Sequence, residues 1–347
     1  MNKLSILTLA LTISMLAASA QDQAVVAAIE KFDPELDHLL TTTTPVEQLA
    51  TGFLLSEGPV WSQSRRCLLF SDVAKNAIYE WAPSRGLATY LTPSGYDGPP
   101  TSGLPGSNGL TLDQRDRLII CQQGERRVVR LEEDGTFTVL ASHYLGKRLN
   151  SPNDLVFASN GDLYFTDPPY GLPKGNSDPA KELKFNGVYR LTAGGELSLL
   201  TSQVSYPNGI ALSPDEETLY VSNSDPKRAV WLAFGIGPDG KLGTGRVIQD
   251  VTGLSPGLPD GIKVDRNGYL FTAGPGGIYI IAPDGRFLGR IRTGESANCA
   301  WGENGSVLYI TAGDRLCRIQ TTTQGAGWSR RYSSSQRRRT TRRSSAN

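Results

Sequence analysis

Six short apolar segments of this chain open on a carboxylate or carboxamide residue, at intervals of 38 to 55 residues. They begin at Glu57 (EGPVW), Asn108 (NGLTL), Asn153 (NDLVF), Asn208 (NGIAL), Asp260 (DGIKV) and Asn298 (NCAWG). A unit of this length cannot bury its own apolar faces. Copies must stack on one another, and a closed ring of copies leaves no exposed end. In such a ring equivalent positions converge on one axis, so one pattern constrains both the fold and the site.

Each opener is followed by the same sequence of events. A turn such as Ser159-Asn160-Gly161-Asp162 or Asp265-Arg266-Asn267-Gly268 leads to a second apolar run, exemplified by residues 67–71, 163–166 and 307–311. A third run, often aromatic, follows at 77–81, 187–191 and 277–281, and a fourth comes after a Gly turn at 136–140 or 286–288. Four short antiparallel strands per unit, repeated radially, predict an all-β, six-bladed β-propeller. The last unit has no clear fourth strand after Ile319, so residues 46–53 are expected to supply it and close the ring. Domain limits follow: a leader at 1–20, a lead-in at 21–45, the propeller at 46–328 and a tail at 329–347.

The abundance of Gly (38) and Pro (21) suits turn-rich β structure. The net charge of +1 hides an asymmetry, because residues 330–347 carry seven Arg and leave the remainder at −6. A mildly acidic folded body argues against nucleic-acid binding. Lys3, the apolar run 4–17 and Ala18-Ser19-Ala20 read as a secretory signal, which predicts export to the periplasm or medium with no membrane span after cleavage. A single uncleaved anchor is the competing reading, disfavoured by the short run and its Ser and Thr. Residues 24–31 have helical character, and little other regular structure is expected before residue 46. The Arg/Ser/Thr-rich tail has no periodicity and reads as disordered. Cys67, Cys121, Cys299 and Cys317 lie in apolar strand contexts and are expected as buried free thiols.

At one mouth of the channel, Glu57, Asn153, Asn208 and Asp260 form an all-oxygen donor set for a divalent cation. Hard oxygen donors favour Ca²⁺, with Mg²⁺ or Mn²⁺ admissible. Zn²⁺ is least suited, since only His38 and His143 exist and neither is near a Cys in sequence. Any one Asn-Gly or Asp-Gly could be merely a turn; six in phase point to a site. Asn108, Asn153, Asp167, Tyr170 and Asn298 are the candidates for substrate contact, with structural roles equally open for Asn108, Asp167, Tyr170 and Asn298. There is no Gly-x-Ser-x-Gly elbow and no phosphate-cradling loop.

The run 146–155 (GKRLNSPNDL), followed by 164–172 (YFTDPPYGL), resembles the gluconolactonase/regucalcin family of propeller sugar lactonases, in its bacterial gluconolactonase branch. So do Ser56-Glu57-Gly58-Pro59, Pro207-Asn208-Gly209 and Pro259-Asp260-Gly261. The resemblance covers about residues 45–328. It implies a divalent cation at Glu57, Asn208 and Asp260, with Asn153 reaching metal or substrate, and Asp260 as the acid/base residue in hydrolysis of a small-molecule sugar lactone. Ser151 departs from the regucalcin branch, which places an Arg there, so that branch's substrate preferences are not transferred. A non-catalytic sugar- or protein-binding propeller, or a hydrolase of other lactones, is the alternative. The oligomeric state is left open.

Overall fold

The computed structural model describes residues 28–99 and 101–328; the expected leader and the Arg-rich tail lie outside them. Six small antiparallel sheets are arranged as a six-bladed β-propeller. Blade 1 is Ser56–Ser62, Cys67–Asp72, Ala77–Ala82 and Gly86–Leu91, from the axis outward. Blades 2, 3 and 4 repeat this order over residues 107–141, 155–201 and 207–250. Blade 5 runs from Ile262–Val264 to Phe287–Arg292. Blade 6 takes Asn298–Gly302, Val307–Ala312 and Arg315–Gln320 from the C-terminal side and Val46–Thr51 as its outer strand. The ring is thus sealed by the strand expected to seal it.

Apolar side chains pack between neighbouring blades. Val60, Leu69 and Ile78 of blade 1 meet Leu110, Ile120 and Val129 of blade 2. Tyr220 and Trp231 of blade 4 meet Ile262 and Tyr279 of blade 5. At the closing seam Trp61 stacks on Tyr309, with ring centroids 5.6 Å apart. Burial on both faces explains why the second strands, such as Cys67–Asp72 and Val307–Ala312, are buried throughout instead of alternating. All four cysteines are buried free thiols.

The lead-in differs from expectation. Ala28–Lys31, read from sequence as helical, is a fifth strand on the outer edge of blade 5, paired with Phe287–Arg292. Tertiary pairing overrides the local helix preference here. Glu30 bridges Arg290 at 2.5 Å and Arg292 at 3.2 Å, which fixes the register. A 3₁₀ turn, Pro34–His38, capped by the Asp33 side chain, then buries Leu36, Leu39 and Leu40 against blades 5 and 6.

Candidate active site at the channel mouth

Three of the openers are tied to the preceding blade by a repeated bond. Ser71 Oγ donates to the carbonyl of Asn108 (2.7 Å), Thr166 Oγ1 to that of Asn208 (2.8 Å) and Ser222 Oγ to that of Asp260 (2.5 Å). A hydroxyl of one blade therefore fixes the backbone of the next blade's opener. In blades 1, 2 and 4 the pairing register shifts at the opener and its glycine. Such bulges re-aim a side chain that a regular strand would turn into the sheet.

Immediately inside the openers the strands crowd the axis. A Cβ on Gly58 would stand 2.1 Å from the Asn108 carbonyl oxygen, and one on Gly209 2.3 Å from that of Asp260. Gly109 meets Asn153 and Asp154 in the same way, and Gly261 meets Asn298. Four glycines thus clear a ring that only two larger side chains, Asp154 and Asn298, enter.

This geometry corrects the sixth repeat. In blades 3 and 5 the opener's N–H bonds the second strand, Asn153 to Thr166 and Asp260 to Ala273. In blade 6 that bond is made by Ala297, to Thr311. Gly261 N donates to Ala297 O just as Gly109 N donates to Asn153 O. Ala297 is therefore the sixth opener, and Asn298 stands one place deeper, level with Asp154. Sequence spacing could not separate two adjacent residues when only one bore an amide.

The remaining openers stand side by side around the axis, joined through their backbone carbonyls. Asn108 Nδ2 donates to Gln123 Oε1 (3.0 Å) and Asn208 Nδ2 to Ser224 Oγ (3.0 Å). Their Oδ1 atoms, with Oδ1 of Asn153 and of Asp260, are buried and unpartnered. Each unpaired buried oxygen costs about 1–3 kcal/mol. Glu57 is buried, and its Oε2 accepts from Gly58 N (2.5 Å) and Asn298 Nδ2 (3.1 Å). Burial, reinforced by the charge of Asp154, pushes the Glu57 carboxyl up to about 7. Burial and then the charges of Glu57 and Asp154 hold the Asp260 carboxyl well above the usual carboxylate range. Crowded carboxylates and orphaned amide oxygens are what a hard cation would satisfy, and the donor set fits one. Among the described residues no three His, Cys, Asp or Glu side chains converge to hold a metal. The amide oxygens of Asn153 and Asn208 would therefore be indispensable.

Asp167 does not face the mouth. It is fully buried, and its oxygens accept from Asn150 N and Ser151 N, both at 2.8 Å. It shapes the loop leading to Asn153, which corrects its reading as a substrate contact. Ser151 is likewise buried, donating to Pro168 O (2.6 Å) and accepting from Gly171 N (2.9 Å). That pair anchors the loop bearing Tyr170. Tyr170 is half-buried, stacks on Tyr206 (centroids 6.3 Å apart) and lies beside Ser224 and Asp260; burial keeps its phenol protonated. Asp154 and Lys263 escaped the sequence reading. Asp154 was visible as the one acid where blades 1, 2, 4 and 5 have Gly. Cavities of about 290 and 540 Å³ lie elsewhere, one between blades 3 and 4 and one beside residues 176–186.

The chain has known relatives. Residues 55–314 match the SMP-30/Gluconolactonase/LRE-like region. The chain is 39% identical over 322 residues to the gluconolactonase of Zymomonas mobilis, covering 89% of this chain and 90% of that one. The solved structure of a Xanthomonas campestris gluconolactonase superposes with a TM-score of 0.75 at 32% identity, covering 85% of this chain and 94% of that one. Regucalcin from Agrobacterium tumefaciens shares the fold, with a TM-score of 0.64 at 18% identity over 82% of this chain and 95% of that one. By sequence and by fold, the chain belongs to the SMP-30/gluconolactonase/LRE-like family.

Proposed function

We propose that this chain hydrolyses a sugar lactone, gluconolactone-like, to the aldonic acid, with a divalent cation, Ca²⁺ foremost, held by Glu57, Asn153, Asn208 and Asp260. What supports this reading is that the openers Asn153, Asn208 and Asp260 each leave Oδ1 buried and unpartnered, and that the Glu57 carboxyl acts on Asp260. Kinship to gluconolactonases over nine-tenths of the chain supports the reaction class. When bound, such an ion supplies positive charge beside the lactone carbonyl oxygen, where negative charge develops.

The chain's own residues do the rest. Asp260 takes a proton from the water that attacks the carbonyl carbon. As the ring C–O bond breaks, it returns that proton to the departing oxygen. Burial and the neighbouring Glu57 raise the proton affinity of Asp260, which suits it to hold the proton between these steps. A lactone is an activated ester, so a modest base suffices. Asn108 Oδ1 offers an acceptor to the sugar hydroxyls, and the Tyr170 hydroxyl, whose proton is donated to Tyr206 O (3.3 Å), offers a second acceptor.

The test is gluconolactone hydrolysis with and without chelator. The expected result is turnover that chelator removes and added calcium restores. Absence of turnover across a panel of lactones, in folded protein shown to hold calcium, would overturn the enzyme reading in favour of a binding propeller.

A further inference from the structure

Beneath the opener layer, three side chains without a part in the proton transfers meet in the channel: Asp154, Lys263 and Asn298. Asp154 and Asn298 enter at the level of the glycine ring, where blades 1, 2, 4 and 5 present no side chain, and Lys263 reaches them from two positions beyond Gly261. Lys263, on the inner strand Ile262–Val264, donates from Nζ to Asn298 Oδ1 (3.1 Å) and Ile262 O (3.0 Å). It stands 3.9 Å from Asp154 Oδ2. Asn298 Oδ1 also accepts from Cys299 N (2.9 Å). Its Nδ2 donates to two carboxylates, Glu57 Oε2 at 3.1 Å and Asp154 Oδ2 at 3.4 Å.

The two ends of this amide therefore face opposite charge. A carboxamide turned over keeps its shape but exchanges donor for acceptor. Turned over here, Asn298 would present its oxygen to both carboxylates. The ammonium on Oδ1 is a charge-assisted donor that forbids that orientation. The consequence reaches Glu57, whose Oε2 accepts from both Gly58 N and Asn298 Nδ2, beside its side-chain hydrogen bond with Asp260. Blade 5 thereby sets the posture of a blade 1 carboxylate through a blade 6 amide.

We propose that Lys263 is a positioning residue for the candidate centre: by fixing the Asn298 amide it holds Glu57 by one carboxylate oxygen in the posture that receives a divalent cation. This inference rests on the reading that Glu57 helps to hold such an ion. The competing role for a lysine among acids is simple charge balance, and the two roles differ in sign. Charge balance alone opposes cation binding, so loss of Lys263 would tighten it. Positioning favours cation binding, so loss of Lys263 weakens it.

Calorimetric titration of calcium chloride into the chelator-treated full chain decides between them. Lys263→Met is expected to weaken calcium binding about tenfold, the scale seen when residues supporting metal ligands are removed. Asn298→Ala should weaken it comparably. The double variant should be no more than about twofold worse than the weaker single variant, because one residue acts through the other. At saturating calcium, turnover of Lys263→Met should return to within about threefold of the parent, since the defect lies in ion affinity. Unchanged or tighter calcium binding in Lys263→Met, or losses that multiply in the double variant, overturn the proposal. Should Lys263→Met not fold, Lys263→Gln decides, because it keeps an N–H donor without the charge. Binding about two- to threefold weaker than the parent's supports positioning, and unchanged or tighter binding overturns it. A parent chain that binds no calcium defeats the underlying site reading instead, an outcome distinct from an unmoved Lys263 variant.

Discussion

Asn208 donates its Nδ2 to the Ser224 hydroxyl at 3.0 Å, and this bond decides which end of the amide is left unpaired. The Ser224 hydroxyl itself donates to Pro259 O, one residue before Asp260, so a single serine aligns ligand candidates from blades 4 and 5. Ser224→Ala should leave the fold intact and weaken calcium binding about tenfold, as removal of a residue supporting a metal ligand does. Calorimetry on the purified variant measures this, and an unchanged affinity would show that Asn208 needs no such support.

Asp260→Asn should lower kcat for gluconolactone by at least about 100-fold, the lower end of what a positioned acid/base contributes. It should also raise the melting temperature of chelator-treated protein, because a buried like-charge neighbour of Glu57 is removed. The parent's gain in melting temperature on adding calcium should shrink or vanish in the variant. Thermal denaturation in chelator and in calcium reads both effects.

Asp167 gives a pH signature away from the candidate centre. Burial pushes its carboxyl from 3.8 up to about 7, against the pull of two backbone N–H donors. The folded chain therefore holds this proton more tightly than the unfolded chain. Its contribution to stability is greatest at low pH and declines as pH rises from about 4 to about 7. Asp167→Asn leaves one of the two N–H groups facing an NH₂ and should destabilise by about 1–3 kcal/mol. The gap between parent and variant should be widest near pH 4 and narrow to a constant value above pH 7. Urea denaturation across that range checks the sign.

Gly209→Ala tests the axial ring. Its Cβ would meet the Asp260 carbonyl at 2.3 Å and Gly261 Cα at 2.7 Å, both backbone. Nothing flexible is available to yield, so the variant should lose about 1–3 kcal/mol, at the upper end of that range, in urea denaturation. Catalysis should fall with it, because the strain bears directly on Asp260.

The six-fold pattern was legible because an inner strand must begin at the axis, and polar openers before apolar runs marked that point in five blades. The sealing strand Val46–Thr51 was legible for the complementary reason that blade 6 lacked an outer strand. The fifth strand of blade 5 was not, because Ala28–Lys31 is a strand only by virtue of its partner across the edge. Asn298 was misplaced by one position, since the true opener, Ala297, carries no polar group and only the hydrogen bonds reveal it. Asp167 reads as a site candidate because it ends the second strand of its blade, near the outlet. Its role is set by two amides sixteen and seventeen positions upstream, a relationship that no local pattern announces.

Blade 6 joins Val46–Thr51, synthesised ahead of blade 1, with the last three strands of the propeller. A nascent chain can stack its earlier blades as they emerge, but the circle stays open until residue 320 has left the ribosome. The bond from Asn298 to Glu57 spans that same seam. The proposed ion site would therefore wait on blade 6, and products cut short before that blade should be inert even when most of their sheets have formed.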